Sequence, residues 1–137
     1  MKPHRVLAIG YWLNRTDQAL TRRMDTMLAE YGITRIGWQV LNVVADGPLV
    51  TDPEVLALLA ANADTPTLTD AVRTALADGW LTRPAPDHLA LTTGGRARLA
   101  TVAERVAAFR ELSMTGISPE EYRTAVSVLE RMTGNLA

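Results

Sequence analysis

The sequence predicts a mainly α-helical fold, with long helices at both ends and three short helices plus a small hairpin between them. Three observations carry that expectation. Apolar residues recur at helical spacing near both ends of the chain. Threonine and serine cap signals open helices in the middle and near the end. Two short extended runs flank Pro84-Ala85-Pro86-Asp87, a stretch that can only be a turn. Across 137 residues, 47% of them hydrophobic, this makes one domain with a core of its own.

The first helix is expected over residues 6–31. Val6, Leu13, Leu20 and Met27 recur every seven residues, with Met24 and Tyr31 on the neighbouring row and Asp17 interrupting it. Gly32 is its natural stop. Such a helix spans about 38 Å at a rise of 1.5 Å per residue, which is long for so small a domain and suggests packing against a second chain. Thr34 caps a second helix reaching about Ala45, with Ile36, Val40, Leu41 and Val44 inward. Asp46-Gly47-Pro48 ends it. Thr51-Asp52-Pro53-Glu54 has the form of a capping box with an early proline, and opens a short helix through Ala60. Ala61 to Asp64 is a turn, and Thr65-Pro66 opens the next helix, which Gly79 stops after Asp78. Residues 80–83 and 88–91 then form the two arms of a hairpin. A helix from about Thr93 carries Leu99, Val102, Val106 and Phe109 at alternating spacing and breaks at Gly116. Ser118-Pro119-Glu120-Glu121 is a second capping box, opening a last helix with Tyr122, Ala125, Leu129 and Met132 inward.

Short helices joined by a tight turn, followed by a hairpin, make a winged helix-turn-helix. The long terminal helices keep apolar stripes that one domain can hardly cover, so they are expected to form a dimerisation region. The chain is thus read as one domain, 1–137, with dimerisation helices at 1–33 and 96–137 and a winged-helix region at 34–95.

Composition excludes several function classes. With no cysteine there is no disulfide scaffold, thiolate metal site, cysteine nucleophile or thiol redox sensor. Two histidines, His4 and His88, do not make a metal site, and no metal or cofactor is expected. No serine sits in a triad-like pattern, no glycine-rich loop cradles a phosphate, Gly94-Gly95 reads as a turn at a helix start, and Glu120-Glu121 reads as a cap. No enzyme is expected. No apolar run is long enough for a membrane span, and polar residues with Arg15 follow the N-terminus too soon for a signal peptide, so the expected location is the cytoplasm.

Several motifs, in order along the chain, resemble the MarR family of bacterial winged-helix transcription regulators. Tyr31-Gly32-Ile33-Thr34 and Trp38-Gln39-Val40-Leu41 resemble its passage from first to second helix. Ala75 through Gly79-Trp80-Leu81 to Arg83 resembles the exit of its recognition helix, L-x-x-x-G-[LW]-[VIL]-x-R, with Ala75 at the leucine position. Leu91-Thr92-Thr93-Gly94-Gly95-Arg96 resembles the L-T-x-x-G-R that leaves its wing, and Ser118-Pro119-Glu120-Glu121 the start of its last helix. The resemblance covers nearly the whole chain. It implies a homodimer that binds double-stranded DNA, usually as a repressor, and that a small aromatic or lipophilic ligand often releases.

The chain departs from the family where DNA would be read. Asp70 and Thr74 stand where the family's recognition helix carries arginines, and the wing tip is short and lacks the basic D-x-R-type motif. Between Thr34 and Leu99 there are five arginines (35, 73, 83, 96, 98) against seven acids (46, 52, 54, 64, 70, 78, 87), a net −2. Phosphate neutralisation supplies most non-specific affinity, so this surface predicts weak DNA binding. The DNA candidates are Arg35, Thr65, Thr67, Arg73, Thr74, Arg83 and His88; the alternative for Arg73 is a helix-surface pair with Asp70, and for Arg83 and His88 ordinary surface. The family's pocket between its first, second and fifth helices makes Trp12, Arg15, Trp38 and Asn42 the ligand candidates, an aromatic and an arginine suiting a small aromatic carboxylate. The alternatives are a core role for Trp38 and a dimer salt bridge for Arg15. Two functions stay open: a ligand-responsive DNA-binding regulator, and a ligand- or protein-binding module on the same fold with weak or lost DNA binding.

Overall fold

The structure is a computed structural model that describes residues 8–137. They form two compact units, the first ending at Arg105 and the second running Val106–Ala137. His4, Arg5 and the first two residues of the expected first helix, Val6 and Leu7, lie outside the described residues.

Helix α1 (Ile9–Ala29) is followed by α2 (Arg35–Asp46), strand β1 (Val50–Thr51), α3 (Asp52–Leu58) and α4 (Thr65–Ala77). Strands β2 (Leu81–Thr82) and β3 (His88–Leu91), then α5 (Thr93–Ser113) and α6 (Pro119–Leu136), complete the chain. The sheet is antiparallel in the order β1-β3-β2, with Val50 opposite Leu89 and Leu81 opposite Leu91. This is a winged helix-turn-helix: α3, a turn, α4, then the β2–β3 wing. No helix among the described residues is long and apolar enough to cross a membrane.

Local chemistry sets each boundary. The Thr34, Thr51 and Ser118 hydroxyls accept from backbone amides three residues on, and Glu54 and Glu121 reach back to complete two capping boxes. Two glycines stop helices in the left-handed region. Gly32 (φ +74°) follows α1, with Ile33 N donating to Leu28 O and Gly32 N to Ala29 O. Gly79 (φ +81°) follows α4, with Trp80 N donating to Ala75 O and Gly79 N to Leu76 O. Both are Schellman closures, which only a residue without a Cβ enters cheaply.

The core of the first unit gathers Leu28 from α1, Val40, Leu41 and Val44 from α2, Val55 from α3, Leu68 and Val72 from α4, Leu89 from β3 and Val102 from α5. Burying such side chains is the main stabilising term.

Three expectations are corrected. A third strand, β1, joins the hairpin; two residues have no alternation to read. The helix opened by Thr51 stops at Leu58, two residues early. The last helix does not turn its expected inward set into a core. Helix α4 opens at Thr65, with Asp64 as its cap. The terminal stripes are largely open in the single chain. In α1 only Met27 and Leu28 are buried, while Leu13 and Leu20 are exposed. In α6 no residue is buried; Tyr122 and Met132 are exposed and Leu129 is half-buried.

Candidate nucleic-acid interface

Helix α4 is amphipathic for a simple reason. Leu68, Val72 and Ala75 are buried at spacings of four and three, so Thr67, Asp70, Arg73 and Thr74 face outward. Its start is fixed by Asp64, whose carboxylate accepts from Thr67 N at 2.9 Å. The side-chain and backbone hydrogen bonds of Thr67 hold that carboxyl below its usual range. Thr65 and Pro66 form the exposed first turn.

The outer face of α4 forms one wall of a groove of about 760 Å³. The opposite wall is the turn between α1 and α2 and the first turns of α2, including Ile33, Ile36 and Gly37. Four DNA candidates, Thr65, Thr67, Arg73 and Thr74, line it together with Asp70 and Asp78. Arg35, Arg83 and His88 do not, nor do the ligand candidates Trp12, Arg15, Trp38 and Asn42.

The wing begins at Arg83. Its Nη1 and Nη2 donate to Asp52 Oδ1 and Oδ2 at 2.7 and 3.0 Å. This bidentate pair joins the wing to the first turn of α3 across 31 residues of chain. The Arg83 hydrogen bonds pull the Asp52 carboxyl below its usual range, and Asp52 in turn raises Arg83. At the tip, Asp87 adopts φ +60°, and His88 N donates to Ala85 O at 3.0 Å. His88 Nδ1 lies 2.9 Å from Pro86 O.

The wing returns to α5 through a tight junction. Thr92 N and the Thr92 hydroxyl both reach Trp80 O, at 3.0 and 3.4 Å, and the hydroxyl also reaches Gly79 O at 2.6 Å. The same Thr92 oxygen caps α5 by accepting from Gly95 N at 2.8 Å. A Cβ on Gly95 would run into the Trp80 carbonyl. Gly94 and Gly95 lie at the helix start, in the first turn of α5, and Gly95 is there because Trp80 backbone occupies the space. On the other side the Arg98 guanidinium stacks 3.9 Å from the Trp80 ring centroid.

The cations of the winged region are thus mostly engaged. Arg73 pairs with Asp70, Arg83 with Asp52, and Arg98 lies on Trp80. Arg35 and Arg96 have no ion-pair partner among the described residues. Sequence reading missed Asp52 as the partner of Arg83 and Asp64 as the α4 cap. The first joins residues too distant to be paired by spacing. The second did carry a signal, an aspartate three residues before the Thr67 amide.

The four ligand candidates are held along their own helices. Arg15 Nη1 donates to Tyr11 Oη at 3.0 Å, and Trp12 meets the Tyr11 ring edge-on at 5.0 Å with 54% of its surface exposed. Asn42 Nδ2 donates to Trp38 O at 3.1 Å, and Trp38 itself is half-buried. Among the described residues no three His, Asp or Glu side chains are placed to hold a metal ion.

These features define a class: a winged helix-turn-helix protein with long helices before and after the helix-turn-helix. Solved structures narrow it. MepR of Staphylococcus aureus, a transcription regulator of the multidrug efflux pump MepA, is similar at TM-score 0.76 and 16% identity, over 96% of this chain and 100% of that one. A mutant MarR from E. coli, crystallised in complex with operator DNA, is similar at TM-score 0.72 and 22% identity, over 90% of this chain and 92% of that one. The transcriptional regulator PA3341 is similar at TM-score 0.70 and 26% identity, over 94% and 98%. No family model and no curated protein matched the sequence. The fold is that of the MarR winged-helix regulators.

Proposed function

We propose that this chain is a DNA-binding transcription regulator that acts as a homodimer on a pseudo-palindromic site, as a repressor. One observation carries the reading: α4 presents a polar outer face, Thr67, Asp70, Arg73 and Thr74, next to a wing, in the fold that the MarR–operator complex shares. Exposed apolar side chains on α1 (Ile9, Tyr11, Trp12, Leu13, Leu20) and on α6 (Tyr122, Val126, Leu136) support a second copy of the chain as the missing cover. Two α4 helices would then enter successive major grooves about 34 Å apart. Thr65, Thr67, Arg35, Arg83 and His88 are the phosphate-side contacts of this reading. A small aromatic or lipophilic effector, bound near Trp12, Arg15, Trp38 and Asn42, would release the DNA.

The test is a gel shift of a duplex from the region upstream of its own coding sequence, at about 50 mM salt, where phosphate contacts are strongest. A shift at micromolar protein or below supports the reading. No shift by a folded dimer overturns it.

A second reading has its own observation. Arg73 and Arg83 are neutralised within the chain, which favours a ligand- or protein-binding module with little affinity for DNA. Thermal stabilisation by a small aromatic compound, with no shift of any duplex, would select it.

A further inference from the structure

The outer face of α4 carries an exposed ion pair beside the groove. Asp70 and Arg73 are each 71% exposed at the side chain and joined at 2.8 Å, Nη1 to Oδ1. So exposed an i,i+3 pair adds little to a helix. In a helix that meets DNA, the carboxylate also repels phosphate. What the pair offers on such a helix is its unused hydrogen-bonding groups.

A carboxylate is an acceptor only, and the guanidinium carries five N–H donors. The contact uses Arg73 Nη1 and Asp70 Oδ1, leaving Nη2 and Nε on one side and Oδ2 on the other. The pair therefore presents donors beside an acceptor. A G·C pair offers the complement in the major groove: guanine O6 and N7 accept, and cytosine N4 donates. Three residues of helix rise about 4.5 Å, between one base step of about 3.4 Å and two. We infer that Asp70 and Arg73 act as one reading unit for a G·C pair in each half-site. Arg73 takes guanine, and Asp70 takes the cytosine amino group of the same or the adjacent pair. The inference rests on the regulator reading and specifies the bases that α4 selects.

The unit also explains how a stretch from Thr34 to Leu99 of net −2 serves a DNA-binding protein. Asp70 lowers affinity for every duplex and returns part of it only where a cytosine amino group is in place. Specificity rises as general affinity falls.

The experiment is selection of bound duplexes from a randomised pool by the full chain, wild type against Asp70→Asn and Arg73→Ala, with melting curves to confirm that each is folded. Wild type is expected to retain one G·C pair per half-site, preferred about tenfold or more over other pairs. Asp70→Asn should shift the cytosine requirement towards adenine, which an amide reads bidentately, and should bind non-specific duplex more tightly. Arg73→Ala should lose the guanine preference. Sequence-specific binding with the same base preferences in Asp70→Asn overturns the inference and leaves the regulator reading intact. If folded wild type selects no sequence at all, the regulator reading fails and this inference falls with it.

Discussion

Arg83 grips both carboxylate oxygens of Asp52, tying the first residue after β2 to the first turn of α3. The pair links the wing to the helix-turn-helix. It also commits a cation that the sequence offers for phosphate.

That pair makes stability depend on acid. The Asp52 carboxyl is held below its usual range by Arg83. A depressed carboxylate stabilises fully above its unfolded pKa, near about 4, and the gain is lost as pH falls through the lower folded value. Asp52→Asn should therefore cost up to about 1 kcal/mol at pH 7, the scale of a partly exposed bidentate pair. Below about pH 3 its deficit should shrink. Urea unfolding at both pH values checks this; an equal deficit at both would remove the ion pair as its cause.

The same substitution should release Arg83 for DNA. At low salt Asp52→Asn is expected to bind duplex more tightly, and the slope of log affinity against log salt should steepen by about one. Anisotropy titrations over a salt series measure both. An unchanged slope means that Arg83 does not face phosphate.

Two neighbouring glycines should behave oppositely. Gly95→Ala drives a methyl into the Trp80 carbonyl and should destabilise by about 2 kcal/mol or more, an overpacking cost against backbone that cannot move aside. Gly94 has nothing within 4 Å of the same position, so Gly94→Ala should be neutral or stabilising by up to about 1 kcal/mol. Thermal melts of the two proteins side by side decide it.

Association should be separable from folding. Leu13 and Leu20 are exposed in the single chain, so the double substitution Leu13→Glu, Leu20→Glu leaves the first unit's core untouched. It should yield a folded monomer by light scattering, against the dimer expected of wild type. A variant that remains dimeric would move the interface away from this face of α1.

What could be read from sequence was local. Thr34, Thr51 with Glu54, and Ser118 with Glu121 announce their helices because a cap and its amide lie three residues apart. Gly79-Trp80 marked the end of α4 for the same reason. Strand β1 escaped because Val50 exists as strand only opposite Leu89, 39 residues away. The Arg83–Asp52 and Arg98–Trp80 contacts escaped likewise. The stripes of α1 and α6 were legible as apolar; whether they are covered depends on a partner, which periodicity does not report. Of the candidate interface, the outward set on α4 followed from helical spacing, while the groove beside it depends on where α2 sits.

The Thr92 clamp on the Trp80 carbonyl limits where this chain can change length. One residue added or removed between Gly79 and Thr82, or between His88 and Gly95, would shift Leu89 and Leu91 to the wrong side of β3 or misplace the one position that tolerates the carbonyl. Pro84 to Pro86 is held only by the local contacts of His88 with the Ala85 and Pro86 carbonyls, within the tip itself. Insertions, whether inherited or engineered, can be accommodated there, and a longer basic tip grafted between Arg83 and Asp87 would extend the reach of the wing without disturbing α4.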